Sequence, residues 1–241
     1  MHRRISFEPL ERREMLSVAP YVYDVSISST LWDSSFIDEL ENEYLGYGGY
    51  SVSANSAPAP WDNIDQIKIS FDQGVNVWES DLSVSGVNQT AYTFSDFDYD
   101  SINNVATWTL AAAVAKDKLF IDLDGDGLHA IQNIYGDKLD GDGNGTGGDD
   151  YELRFDVLPG DADQDAGVDN DDYWKIYNEE GAVPTDSNYS VFDDIDGDAV
   201  VEEADRYVAY NNDGDSLPYG GPAGESNDAP TTDGFLDLSL N

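Results

Sequence analysis

Residues 66–71 read Gln-Ile-Lys-Ile-Ser-Phe, a strict alternation of polar and apolar side chains. Successive side chains of a β-strand point to opposite faces of its sheet, so this period of two predicts a strand with one buried face. The same alternation recurs between residues 18 and 158. Its apolar members include Tyr23, Val25 and Ile27; Trp108 and Leu110; Leu119 and Ile121; Leu153, Phe155 and Val157. Tyr92, Phe94, Phe97 and Tyr99 supply a further candidate hairpin.

Roughly seven short strands with polar connections predict a mainly β protein with a β-sandwich over residues 18–158. A short helix is expected at 35–43, where Phe36, Ile37 and Leu40 would share one face. The dipeptide Pro159-Gly160 then marks a boundary, after which the apolar period becomes helical. After Leu217-Pro218 the composition turns to Gly, Pro, Ser, Asn and Asp, so 219–241 is predicted to be a flexible acidic tail.

The composition is strongly acidic, with 50 acidic and 11 basic residues and a formal net charge of -39. Phosphates would be repelled, which argues against nucleic acid as a partner and against an anionic membrane surface. No apolar run approaches the roughly 18 residues that a membrane span needs, so no membrane insertion is expected. Cysteine is absent, which excludes disulfides and thiolate zinc sites. Metal ions are then the obvious alternative staple.

An internal repeat follows the boundary. The twelve residues Asp161-Ala-Asp-Gln-Asp-Ala-Gly-Val-Asp-Asn-Asp-Asp172 align with Asp194-Ile-Asp-Gly-Asp-Ala-Val-Val-Glu-Glu-Ala-Asp205, at an offset of 33 residues. Both copies carry carboxylates at loop positions 1, 3, 5, 9 and 12, which is the calcium-loop spacing of an EF-hand. Calcium is a hard cation that takes six to eight oxygens, and position 7 adds a backbone carbonyl. The predicted ligands are Asp161, Asp163, Asp165, Gly167, Asp169 and Asp172 in the first loop, and Asp194, Asp196, Asp198, Val200, Glu202 and Asp205 in the second.

Two details of the repeat lead to structural expectations. Position 8 is apolar in both copies, and Val168 and Val201 are expected to pair with each other across a short β-bridge. Position 6 of such a loop needs a positive φ and is usually glycine, whereas here it is Ala166 and Ala199. Alanine in that conformation costs on the order of 1 kcal/mol. If the loop turned elsewhere, Gly167 would be the hinge of the first copy.

Each loop is followed by one helix, over 173–178 and 206–211, and Leu158-Pro159-Gly160 blocks a helix before the first loop. Single-helix calcium loops, twice repeated, resemble a type I dockerin over residues 159–218. The resemblance implies two calcium ions, a cohesin-like partner domain and complexes that degrade polysaccharides. It also implies partner contacts at loop positions 10 and 11 and on the first helical turn, which here are Asn170, Asp171, Trp174, Glu203, Ala204 and Tyr207. These are not the Ser-Thr type of cellulosomal dockerins.

Two other segments carry resemblances. Residues 67–71, 79–82, 106–110 and 119–127 are similar to bacterial Ig-like domains that precede dockerins, which implies a spacer or adhesion role without chemistry. At the N-terminus, residues 7–12 (Phe-Glu-Pro-Leu-Glu-Arg) and 15–17 (Met-Leu-Ser) resemble the LEPR-XLL sorting motif, so 1–17 is predicted to direct a secreted or cell-surface location. The alternative for this segment is a disordered tail.

A second acidic stretch lies within the β-rich part. Its candidate ligands are Asp122, Asp124, Asp126, Asp140, Asp142 and Asn144. Neither half completes an EF-hand loop, because position 12 is Asn133 in one and Tyr151 in the other. Together with Asp149 and Asp150 they could share one further calcium ion between adjacent turns, or they could be plain glycine-rich turns. Residues 211–215 have the first three ligand positions only and are interpreted as a turn.

No catalytic constellation emerges. A Ser-His-Asp hydrolase needs a placed histidine, and the two histidines, His2 and His129, lie near no nucleophile motif. The sequence therefore predicts a non-catalytic extracellular calcium-binding protein that mediates calcium-dependent protein–protein assembly at the cell surface. The alternative is a structural, adhesive or carbohydrate-binding surface protein in which calcium is only a staple. Carbohydrate binding would need the tryptophans, Trp32, Trp61, Trp78, Trp108 and Trp174, in a flat row instead of the core.

Overall fold

The computed structural model describes residues 18–224; the predicted sorting motif at 1–17 and the part of the predicted tail from 225 onward lie outside the described residues. Within 18–224 the chain forms ten strands, three α-helices and one 3₁₀ turn. In order these are β1 (Val22–Ser28), α1 (Ser34–Asn42), β2 (Tyr50–Ser51), β3 (Gln66–Phe71), β4 (Val75–Asn76), the 3₁₀ turn (Glu79–Asp81), β5 (Leu82–Gly86), β6 (Phe94–Asp100), β7 (Val105–Leu110), β8 (Asp117–Leu123), β9 (Gln132–Asn133), β10 (Tyr151–Val157), α2 (Asn170–Asn178) and α3 (Glu203–Asn211). The prediction of a mainly β protein is confirmed.

The strands of the described chain build antiparallel sheets. The larger sheet has the order β2-β1-β3-β7-β6, a second has the order β10-β8-β5, and β4 pairs with β9. The register places Ile67 of β3 opposite Ile27 of β1 and Trp108 of β7, so these buried apolar residues line one face. The alternation read from residues 66–71 is therefore the alternation of buried and half-buried positions along β3.

The hydrophobic core is continuous across the predicted boundary at Pro159-Gly160. Buried residues of both larger sheets belong to the same cluster as Val168, Ile176, Val201 and Ala209 of the C-terminal part. We call residues 18–158 the β region and residues 159–218 the loop–helix region. The secondary structure changes at the boundary, but the packing does not stop there.

Trp61 connects the β region to the loop–helix region. Its side chain is fully buried, its indole Nε1 donates to the carbonyl of Val191 at 2.9 Å, and its ring stacks on Phe192 with centroids 5.6 Å apart. Large aromatic side chains supply more buried apolar area than any others, so this contact anchors the loop–helix region on the β region.

The tryptophans do not form a surface row. Trp32, Trp61 and Trp108 are buried in the core, whereas Trp78 and Trp174 are 63% and 52% exposed. The core interpretation thus applies to three of the five, and a flat five-membered sugar-binding row is contradicted.

The first residues of the predicted tail lie on the smaller sheet. Ser85 of β5 donates its hydroxyl to the carbonyl of Ala223 at 2.7 Å, and Lys118 of β8 reaches the carbonyl of Gly220 at 3.4 Å. The segment 219–224 is therefore in contact with the fold. None of the helices between residues 18 and 224 is long and apolar enough to cross a membrane.

Candidate functional site

The first repeated loop gathers three of its predicted ligands. Carboxylate oxygens of Asp161, Asp163 and Asp172 lie within 4.8 Å of one another, and Asp161 and Asp172 are buried. Asp172 stands at position 12, in the first turn of α2, and its two oxygens accept from the amides of Asp163 at 3.0 Å and Asp169 at 2.8 Å. The start of the helix thus closes the loop, because one carboxylate accepts from the amides of loop positions 3 and 9.

The second loop repeats this geometry. Oxygens of Asp194, Asp196 and Asp205 lie within 4.8 Å of one another, and Asp205 accepts from the amides of Asp196 at 3.1 Å and Glu202 at 2.7 Å. Each position corresponds to its partner in the first loop at the offset of 33 residues. The sequence repeat is therefore a structural repeat, in which α2 and α3 begin in the same way.

The other predicted ligands lie outside these groups of three. At position 5, Asp165 and Asp198 each accept from a backbone amide two residues later, at 3.0 Å. At position 9, Asp169 and Glu202 are the N-cap residues of α2 and α3. Position 9 often binds calcium through a water, so these residues fit the rim of a site better than its centre.

The backbone turns where the EF-hand pattern requires it. Ala166 and Ala199, both at position 6, have φ angles of 72° and 71°. This confirms the expectation of a positive φ at position 6, and Gly167 is not the hinge. An L-residue other than glycine is strained there because its Cβ crowds the neighbouring carbonyl oxygen. Both loops thus keep the geometry that a calcium loop needs in spite of this local strain.

The expectation that Val168 and Val201 pair with each other is wrong. Val201 exchanges hydrogen bonds with the segment after α2: its amide donates to Ala182 at 2.9 Å and its carbonyl accepts from Gly181 at 2.7 Å. Val168 makes the equivalent pair with Asp215 and Gly214 after α3, at 2.9 and 2.7 Å. Each loop is therefore held by the segment that follows the helix of the other repeat.

Burial makes the carboxylates at loop positions 1 and 12 hard to ionise. It raises the pKa of Asp161 to about 7, with a further contribution from the charge of Asp172. Burial likewise raises the pKa of Asp194 to about 7 and that of Asp205 to about 8. Carboxylates that repel one another at low exposure are stabilised either by protons or by a bound cation. The donor set is entirely oxygen, as a hard divalent cation such as calcium requires, so the loops fit this ion.

Sequence reasoning missed the residues of the β region that contact the second loop. The Asp33 amide donates to the carbonyl of Gly197 at 2.8 Å, and the Asp62 amide donates to the carbonyl of Ile195 at 3.1 Å. Burial, reinforced by the charge of Asp196, raises the pKa of Asp62 to about 6. Since these residues lie more than a hundred positions before the loop, no local spacing could have revealed them.

Tyr189 is a further missed residue, within the loop–helix region. Its buried hydroxyl donates to Asp194 Oδ2 at 2.6 Å, and so orients the position-1 carboxylate of the second loop. A tyrosine five residues before a calcium-loop pattern has no signature in sequence, and the first loop has Asp156 at the equivalent place.

The predicted partner-contacting residues are all exposed on α2, α3 and their N-termini: Asn170, Asp171, Trp174, Glu203, Ala204 and Tyr207. Two of them, Asn170 and Trp174, line a cleft of about 130 Å³ between the helices. Tyr173, Tyr210 and the carboxylates of Asp169 and Asp213 complete most of its wall. The cleft is therefore aromatic and acidic.

The acidic stretch of the β region forms two groups of carboxylates. Asp124 and Asp126 meet Asp150, whereas Asp140 and Asp142 meet Asp149, each group with oxygens within 4.8 Å. The candidates thus divide between two places. Asp122 belongs to neither group, and Asn144 donates its amide to Asp142 at 2.8 Å.

Comparisons with known proteins give little. No protein family model matches the chain, and no curated protein matches it. Among solved structures, the N-terminal part of the bacterial S-layer protein SbsC is similar with a TM-score of 0.32 and 11% identity, over 58% of this chain and 24% of that chain. SbsC domains 1–6 and the SbsC fragment 31–844 give the same TM-score, at 11% and 12% identity, and 14% of each of those chains is covered. This TM-score is too low for the two proteins to be assigned one fold, and the similarity does not bear on function.

Proposed function

We propose that this chain is a non-catalytic structural protein of the cell surface, in which calcium bound by the two repeated loops staples the loop–helix region onto an Ig-like β region. The observation that carries the proposal is the shared core. The second loop is held by residues of the β region and by the segment after α2, so an ion in this loop would stiffen both the β region and the loop–helix region. A calcium loop of an independent module would be expected to leave the neighbouring domain unaffected.

The contacts of the second loop support this role. Gly197, at position 4, has a φ of 73° and lies against Trp32; a Cβ built on it would be 2.3 Å from the indole Cδ1. The Asp33 amide donates to the same residue. Calcium that fixes the carboxylates of this loop therefore also fixes the backbone on which Trp32 and α1 are packed.

The experiment compares the two parts of the full chain with and without calcium. Hydrogen exchange is measured by peptide for β3 and β7, which lie in the β region, and for α2 and α3. Under the proposal, a chelator speeds exchange in both sets and lowers the urea midpoint of a single unfolding transition. If exchange in β3 and β7 is the same in calcium and in chelator, calcium is not a staple of the whole fold.

A second candidate is dockerin-like assembly, which the exposed cleft between α2 and α3 favours. Its tyrosine and tryptophan rings and its two carboxylates would suit a basic side chain of a cohesin-like partner, through cation–π and ionic contacts. The cleft is built from both repeats, because α2 and α3 each supply aromatic residues. Partner binding there would depend on calcium in both loops.

A matched pair of variants tests this candidate. Trp174→Ala removes an aromatic wall of the cleft, whereas Trp78→Ala removes a tryptophan of the β region that is also more than half exposed. Pull-downs from the surface proteins of the source cell should lose a calcium-dependent partner with the first variant and keep it with the second. Equal capture by both variants, or capture that persists in chelator, argues against a dockerin-like role.

A further inference from the structure

We propose that Asp140, Asp142 and Asp149 form a cation site of the β region, separate from the two repeated loops, for a hard divalent ion of the calcium type. The three carboxylates lie within 4.8 Å of one another on two neighbouring turns. Residues 140 and 149 also form an isolated β-bridge, which brings the two ends of the loop together. Three like charges at this separation repel one another unless a cation lies between them.

A buried atom without a partner distinguishes this group from its neighbour. Asp140 is 7% exposed, and its Oδ2 accepts from the amide of Gly145 at 2.8 Å. Its Oδ1 is buried and has no hydrogen-bond partner within the described residues. Leaving a buried carboxylate oxygen without a donor is costly, and a coordinated cation removes that cost. Within residues 18–224, the group of Asp124, Asp126 and Asp150 contains no buried oxygen without a partner.

Backbone donors hold the other two carboxylates in place. Asp149 accepts from the amide of Gly141 at 2.7 Å, and Asp142 accepts from the amide of Asn144 at 3.0 Å. Gly141 has no room for a side chain, since its Cβ would lie 2.2 Å from the Asp150 carbonyl oxygen. Gly143 and Gly145 have φ angles of 71° and 87°. The glycines thus permit a tight turn that presents acidic oxygens to one point.

No basic side chain of the described chain neutralises the group. The nearest lysine in sequence, Lys138, donates to the carbonyls of Asp126 and Gly127, at 2.7 and 3.3 Å. An ion at Asp140 would also act on the start of β1, because the Asp140 amide donates to the carbonyl of Pro20 at 2.8 Å. An ion at this site would therefore hold Pro20, just before β1, against the glycine-rich loop 140–149.

The test uses the full chain and the metal alone. Hydrogen exchange of peptides covering 140–149 is measured in calcium and in chelator for the native protein and for Asp140→Asn, Asp142→Asn and Asp98→Asn. Asp142 is exposed, so its variant should fold even if the buried Asp140 variant does not; Asp98→Asn makes the same charge change on the exposed face of β6. Urea unfolding in chelator verifies the folding of each variant.

Calcium should slow exchange in 140–149 in the native protein and in Asp98→Asn, and this slowing should be lost in Asp142→Asn. Calcium titration should find one ion fewer in Asp142→Asn than in Asp98→Asn. Peptides covering 161–172 and 194–205 report calcium binding by the repeated loops separately. A missing calcium response of the repeated loops, which would contradict the proposed function, is therefore distinguishable from a missing response of residues 140–149. Exchange in 140–149 that calcium does not alter in the native protein, or that it slows equally in Asp142→Asn, overturns the inference.

Discussion

Val168 and Val201 occupy equivalent places 33 residues apart, and each exchanges two backbone hydrogen bonds with the segment that follows the helix of the other repeat. The two repeats are thereby interlocked. A shift of one loop displaces the segment after the helix of the other repeat, and so acts on that other repeat. Both valines are buried, which keeps these bonds out of water and makes them costly to break.

This interlocking predicts that the two calcium sites are coupled. Asp172→Asn keeps the shape of the position-12 side chain but removes its charge, so the first loop should lose its ion. Because the loops share hydrogen bonds, calcium should then bind the second loop about 5- to 150-fold more weakly, which corresponds to 1–3 kcal/mol of coupling. Isothermal titration of the variant measures the remaining site. A second loop of unchanged affinity would show that the repeats act independently.

Relief of backbone strain should tighten calcium binding. Ala166 and Ala199 adopt φ angles of 72° and 71°, where an alanine costs roughly 1–2 kcal/mol relative to glycine. The double variant Ala166→Gly, Ala199→Gly should therefore bind calcium about tenfold more tightly per site. Ala204→Gly is the control, because this residue lies in α3 with helical geometry, and glycine there should lower stability by about 0.5–1 kcal/mol. Equal or weaker affinity of the double variant would contradict the strain argument.

The calcium-free fold should lose stability as the pH rises. The pKa values of Asp161, Asp194 and Asp205 are about 7, 7 and 8 in the fold, against an ordinary value of 3.8. Between the unfolded and the folded pKa values, the folded state holds protons that the unfolded chain has released. Its stability advantage is thus complete below the unfolded pKa and is lost as the pH rises through the folded values. Urea midpoints in chelator at about pH 5 and about pH 8 should show this fall.

Calcium should reverse this loss of stability with rising pH, since it binds the deprotonated carboxylates and displaces their protons. Calcium affinity is therefore expected to rise through the same window. Titration in two buffers of different ionisation enthalpy should detect proton release. A chelator-treated protein that becomes more stable from about pH 5 to about pH 8 would contradict the assigned pKa directions.

Loss of the Tyr189 hydroxyl should destabilise the fold in chelator. Tyr189→Phe leaves the buried Asp194 Oδ2 without its donor at 2.6 Å, which should cost about 1–3 kcal/mol in the free energy of unfolding. Tyr210→Phe is the control, because Tyr210 is 63% exposed and a surface change of this kind stays within about 0.5 kcal/mol. Denaturant unfolding of both variants gives the comparison. A similar loss in the two variants would show that the hydroxyl does not support the loop.

Local patterns in the sequence predicted the longer strands, α1 and the ligand spacing of both loops, whereas α2 and α3 begin three residues before their predicted starts at 173 and 206. The period of two over 66–71 corresponds to the buried face of β3, and α1 lies within a residue of its predicted bounds. The spacing of acidic residues placed positions 1, 3 and 12 of each loop together, because a twelve-residue turn before a helix has little freedom. The positive φ at Ala166 and Ala199 followed from the same constraint.

Long-range packing decided the rest. Val168 and Val201 each bond to the segment after the helix of the other repeat, and Trp61 contacts Phe192, so these contacts join residues that are distant in sequence. Asp149 and Asp150 are neighbours with the same local pattern, yet they belong to two different carboxylate groups. Alternation and ligand spacing report which side chains share a face or a turn, and they carry no information on which turn meets which. That choice depends on how buried area and backbone hydrogen bonds are satisfied over the whole chain, so only the tertiary structure could show that the loop–helix region shares its core with the β region.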